Sequence, residues 1–172
     1  MDARWERLFA DLEGQLAGGP DEDEIPDLVE AERVAVRVAD RVRGRLGARL
    51  DVVLRSGTRI GGEVVDAGTN WFAVRSDAGF SVVAEEAVIA CGPLGVAVPE
   101  EAVGRSLAGV LRSLARAGSP VVVDAGGMHL TGRIAAVGAD HCDLRRENGS
   151  LLSIRLAAID LVRWPGGGTL PA

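Results

Sequence analysis

The sequence predicts a mainly β fold with helices. It reads as two tandem five-stranded small barrels, each preceded by a helix, with a further amphipathic helix at the N-terminus. Three observations carry this expectation. The first is an internal repeat. Gly57-Thr58-Arg59-Ile60-Gly61-Gly62-Glu63-Val64-Val65-Asp66-Ala67-Gly68-Thr69-Asn70-Trp71-Phe72 returns 70 residues later, without a gap, as the run from Gly127 to Cys142. Gly57, Gly62 and Gly68 fall on Gly127, Gly132 and Gly138, and the match continues through Arg75 on Arg145, Gly79 on Gly149, Ala87 on Ala157 and Ile89 on Ile159. The second is a set of short apolar stretches separated by glycine turns in each copy. The third is the helical pattern ahead of each set. A flat five-stranded sheet would leave one face bare and its edges exposed, so a closed or strongly bent barrel is expected.

The elements follow in order. Residues 3–17 place Trp5, Leu8, Phe9, Leu12 and Leu16 on one helical face and Arg4, Glu6, Arg7, Asp11 and Glu13 on the other. Gly18-Gly19-Pro20 ends that helix. Asp21-Glu22-Asp23-Glu24-Ile25-Pro26-Asp27 reads as an acidic linker. A second helix is expected over Leu28–Leu46, with Gly47 as its C-cap. Its apolar stripe is Leu28, Ala31, Ala35, Val38, Val42 and Leu46, and a second stripe holds Arg33, Arg37, Arg41 and Arg45.

Five strands follow, over Leu50–Leu54, Arg59–Ala67, Asn70–Arg75, Phe80–Ala84 and Val88–Cys91. Gly61-Gly62 inside the second suggests a bend in the sheet. Ser76-Asp77-Ala78-Gly79 reads as a hairpin turn, and Glu85-Glu86-Ala87 as one tight helical turn. A third helix is expected over Glu100–Ala117, with Val103, Leu107, Val110, Leu111 and Leu114 toward the core. The second strand set is Val121–Asp124, Leu130–Val137, His141–Arg146, Leu151–Ile154 and Ile159–Arg163. The division is therefore 1–27 as helix and acidic linker, 28–92 as helix plus first barrel, 93–164 as helix plus second barrel, and 165–172 as a disordered tail.

Composition bounds the function. The chain has 172 residues, 47% hydrophobic and 26% charged, and all 19 basic residues are Arg. The net charge of −6 is unevenly placed: residues 1–27 hold nine acids and two bases, whereas Arg33–Arg59 holds eight Arg against Asp40 and Asp51. Two cysteines, Cys91 and Cys142, make no disulfide framework. The N-terminus lacks the apolar core of a signal peptide, and no run reaches membrane-spanning length, so a soluble cytoplasmic protein without membrane contact is expected.

A helix followed by a five-stranded barrel resembles the Sm-like fold, a relative of the SH3-like barrels. Val52 to Val64 looks like the first Sm motif, Asp66-Ala67-Gly68-Thr69-Asn70 matches its Asp-x-x-x-Asn, and Gly149 to Arg155 resembles the start of the second. As a whole the chain also resembles a family of high-GC bacteria sometimes labelled Fis-type regulators, although no helix-turn-helix accompanies that label. The Sm resemblance implies association by pairing of outer strands, and an RNA pocket built from the loop Asn and an Arg-Gly. Here Asn70 faces Glu85-Glu86 at the partner position, and Arg155 is followed by Leu156 with Asp140 in place of the Asn. Neither copy holds both halves.

The leading functional expectation is accordingly a non-catalytic interaction or adaptor module that binds a protein partner or self-associates through barrel edges. Trp5, Leu8, Phe9 and Leu12 are the candidate partner-binding face. The alternative is RNA or single-stranded nucleic-acid binding through Arg33, Arg37, Arg41 and Arg45, with Asn70, Trp71 and Arg155. Asp140-His141-Cys142-Asp143 is not expected to hold a metal, because alternation sends His141 and Cys142 to opposite faces. No cofactor motif and no nucleophile-base pair is visible, so an enzyme is not expected.

Overall fold

The computed structural model describes residues 36–99 and 105–164. The expected N-terminal helix with Trp5, Leu8, Phe9 and Leu12, the acidic linker, Arg33 and the 165–172 tail lie outside the described residues. Arg37–Trp164 falls within one compact unit.

Ten strands form it: β1 (Arg49–Leu54), β2 (Arg59–Ala67), β3 (Trp71–Ser76), β4 (Gly79–Ala84), β5 (Val88–Gly92), β6 (Pro120–Ala125), β7 (Met128–Val137), β8 (His141–Arg145), β9 (Leu151–Arg155) and β10 (Ile159–Trp164). Two short helices accompany them, α1 (Val38–Arg43) and α2 (Leu107–Ala117), and a 3-10 turn precedes β5 and β10 at Glu85–Ala87 and Leu156–Ala158. All pairings are antiparallel, in the single order β5-β1-β2-β3-β4-β10-β6-β7-β8-β9.

This corrects the expectation of two closed Sm-like or SH3-like barrels, each led by a helix. The sheet is open and runs through both copies. The reason lies at β4 and β10. Leu161, Val162, Arg163 and Trp164 pair with Val83, Val82, Ser81 and Phe80. Every residue of β4 is buried, as are Leu161, Val162 and Trp164. Strands apolar on both faces need cover on both faces and partners on both edges. The fourth strand of one copy finds that partner in the fifth strand of the other, and closure within a copy is displaced. Phe80 and Trp164 stack at the seam, with centroids 5.3 Å apart and planes 11° apart.

Within each copy the strand order is the same, and the pairings show where the repeat slips. β2–β3 and β7–β8 match at a shift of 70 residues: Glu63 opposes Arg75 as Arg133 opposes Arg145, and both ladders bulge at the same place. Ahead of them the shift is 71. The loop from Leu54 to Thr58 closes the first hairpin, while the Gly126-Gly127 turn closes the second with one residue fewer. Beyond them it is again 71, because Arg75 opposes Phe80 whereas Arg145 opposes Leu151. Ala87 and Val88 therefore correspond to Ala158 and Ile159, not to the ungapped partners.

Gly62 and Gly132 sit in the second strand of each copy where the neighbouring strand's backbone comes close. A Cβ at Gly62 would collide with the carbonyl of Arg75, and one at Gly132 with that of Arg145, so neither tolerates a side chain.

The helices are shorter than expected. The Leu28–Leu46 expectation is cut back at its C-terminal end: α1 stops at Gly44, which caps it. Leu46 instead bridges to Val64, and the Gly47 N–H donates to the Val64 carbonyl at 2.8 Å, with Gly47 at φ 77°. The pull of that backbone pairing outweighs one more helical turn. α2 begins at the Ser106 N-cap, whose Oγ accepts from Gly109 N, and ends at the left-handed Gly118. It buries Leu107, Val110, Leu111 and Leu114, and it packs on β7. The core is one cluster drawn from both copies.

Because the sheet is continuous, the copies should unfold together. Trp164→Ala removes the seam ring and should cost about 3–5 kcal/mol in a single cooperative urea transition, read by circular dichroism and fluorescence alike. Two separate transitions in either protein would contradict a shared core.

Candidate interaction edges

An open sheet has two ends, and here they are β5 and β9. Among the described residues each is bonded on one side only, β5 to β1 and β9 to β8, which leaves a row of backbone N–H and C=O groups on the other side without a strand partner. Both edges are apolar. Ile89 on β5 is 69% exposed, Leu151 on β9 is 56% exposed, and Leu152 is exposed beside it. Neither strand carries an acid, and the one charge is Arg155 at the end of β9.

The repeat gives these edges a specific meaning. β5 is the counterpart of β10, and β9 the counterpart of β4. The pair joined at the seam is thus the same pair of strand types left unjoined at the ends. Transferring the seam register by 71 residues sets Ala90 opposite Ile154, Cys91 opposite Ser153 and Gly92 opposite Leu152.

The residues flagged for nucleic acid are largely taken up by the fold. Arg37 pairs with Glu85 at 3.0 Å. Arg41 Nε donates to the Gly95 carbonyl, and Arg45 donates to the Arg49 carbonyl. The remaining stripe member, Arg33, lies outside the described residues. Asn70 Oδ1 accepts from Leu107 N at 3.2 Å, so its amide holds a free donor at the start of α2. Trp71 is buried, with Nε1 donating to the Arg105 carbonyl, and Phe72 is buried too. Arg155 is exposed on β9, across from His141 and far along the sheet order from Asn70. The structure therefore does not bring these residues to one face.

Four charged residues gain partners that sequence reading missed. Asp124 is 3% exposed, and it accepts from Arg163 Nη2 at 3.0 Å on both oxygens while Oδ1 lies 2.7 Å from His129 Nδ1. Asp160 is as deeply buried and accepts from Arg55 Nε at 2.6 Å, tying the first hairpin to β10. The signal was present: each acid interrupts an apolar strand whose first-copy counterpart is Val53 or Ile89. A buried carboxylate needs such a partner.

Cys142 is buried on β8 while His141 faces out and hydrogen-bonds Asp140 at 2.9 Å. That bond raises the imidazole pKa and lowers the carboxyl pKa. Among the described residues no three His, Cys, Asp or Glu converge to hold a metal ion. Cys91 and Cys142 are both free thiols. Burial pushes the Cys142 thiol up to about 11 and Cys91 up in the same direction.

Two outcomes follow from these contacts. Asn70→Ala should lower stability by about 1 kcal/mol through the lost donor partner, and Asn70→Asp should retain it, read by urea denaturation. Cys142 is more acidic unfolded, near the ordinary 9.0, than folded. Its contribution to stability is complete below pH 9 and is lost as pH climbs toward 11. The urea midpoint should fall across that window, and Cys142→Ala should flatten the fall.

No helix of the described residues is long and apolar enough to cross a membrane. No protein-family model and no curated protein matches this chain.

Proposed function

We propose that the protein is a non-catalytic interaction module of the cytoplasm that works by lending its open sheet edges to a second polypeptide, a second copy of itself first of all. One observation carries this reading. The β4–β10 seam is already an edge-to-edge union of the two repeat copies, and β9 and β5 are the unused members of the same pair. A β9 edge on one molecule presented to a β5 edge on the next would repeat the seam's backbone pairing and cover Ile89, Leu151 and Leu152. The contact is heterologous, so repetition gives a closed ring or an open filament. The free thiols Cys91 and Cys142 support a reducing compartment. The occupied state of Arg37, Arg41, Asn70 and Trp71 favours this reading over nucleic-acid binding through those residues.

Static light scattering tests it. The wild-type mass should be a multiple of 17.9 kDa. Leu152→Lys blocks one edge and Ile89→Lys the other, and each should reduce assembly at least about tenfold in concentration dependence while leaving the circular dichroism unchanged. Capping at dimers is expected when the two single variants are mixed, since each retains one good edge. A monomeric wild type at all concentrations would refute self-association. An added extended peptide or protein that binds and is blocked by the same substitutions would then identify a different second chain for the same edges.

A further inference from the structure

The two copies differ at one cross-strand pair in a way the fold does not require. In the first copy Glu63 opposes Arg75, and the two form an ion pair at 2.7 Å. At the equivalent position of the second copy Arg133 opposes Arg145. Two like charges directly across an antiparallel ladder repel each other. Arg133 relieves part of its charge by donating to the Gly118 carbonyl. Among the described residues neither Arg145 nor the adjacent Arg146 has a side-chain hydrogen-bond or ion-pair partner.

These three arginines, with Thr131, line a concavity of about 270 Å³ whose one acid is Glu147. A second concavity of about 500 Å³ adjoins it, shares Thr131, Arg146 and Glu147, and adds His129 and Asn148. His129, Thr131 and Arg133 alternate along β7, so they stand on one face over about 13 Å. The His129 ring is held in place by buried Asp124. The segment 105–164 as a whole holds eight Arg against five acids, and two of those acids, Asp124 and Asp160, are buried and already paired.

We propose that this face of the second copy binds a phosphate group, clasped between Arg133 and Arg145 with Arg146 and Thr131 at its rim. Guanidinium forks match the tetrahedral oxygens in paired hydrogen bonds. Three guanidiniums less one carboxylate leave two positive charges, which suits a phosphate or phosphomonoester dianion better than a single carboxylate. The bound group would turn the Arg–Arg repulsion into two attractions, replacing what Glu63 does within the first copy. The site adjoins the β9 edge, since Arg145 opposes Leu151, but none of its lining residues lies on β5 or β9.

Thermal unfolding and direct titration test this with two probes, inorganic phosphate and a single-stranded oligonucleotide of about ten nucleotides. Inorganic phosphate at about 10 mM should raise the wild-type melting temperature about 3 °C beyond its effect on Arg145→Gln, which removes the general stabilisation phosphate gives any protein. Arg133→Glu rebuilds the first copy's ion pair. It should melt no lower than wild type without phosphate and should lose the phosphate-specific rise. A phosphate response marks a small phosphorylated ligand. An oligonucleotide response alone, weakened about tenfold or more by Arg145→Gln, marks a nucleic-acid backbone as the source. Equal responses of wild type and both variants to both probes would overturn the proposal.

Discussion

The backbone pairing between β4 and β10 is the constraint on which the rest depends. Both strands are buried on both faces, and a strand of that kind cannot stand at an edge without exposing apolar side chains and unpaired peptide groups together. Once the two strands meet, the cores on either side become one core, and the copies can no longer close separately. Phe80 and Trp164 fill the seam by stacking, and Arg55–Asp160 ties the first hairpin to the same strand. The open order of the sheet, its two unlike ends and the burial of Asp160 follow from that union.

The union also explains why duplication here does not mean equivalence. β5 and β10 descend from one pattern, yet β10 is central and almost wholly buried while β5 is peripheral, with Ile89 and Ala90 turned to solvent. β4 and β9 diverge the same way. Position in the sheet sets what each copy must bury. The second copy inherits the buried carboxylates Asp124 and Asp160, which need Arg163, His129 and Arg55; the first has Val53 and Ile89 at those places and needs none.

Charge is divided between the copies on the same logic. The first copy settles several of its arginines internally, while Arg55 reaches Asp160 of the second. Arg37 goes to Glu85, Arg75 to Glu63, and Arg41 and Arg45 to backbone carbonyls. In the second copy Arg133 opposes Arg145, and with Arg146 they line one concavity whose one acid is Glu147. A basic stripe on a helix thus drew attention in the sequence, while the more demanding cluster arises only when two strands are laid side by side.

The sequence by itself determined the repeat, the ten strand segments to within a residue or two, and the placement of His141 and Cys142 on opposite faces. These are local matters: periodicity, turn chemistry and the alternation of a strand act over a few residues and leave their mark in the order of the letters. Only the tertiary structure decided whether the ribbons close or join, because β4 is equally apolar in a closed barrel and in a continuous sheet, and partner choice is a competition between edges far apart in the chain. It likewise decided that Asn70 secures a helix, that Leu46 leaves its helix for Val64, and that Arg133 faces Arg145. Each of these is a pairing across the sheet, fixed by register and one-residue slips in the loops, which no count along the chain records.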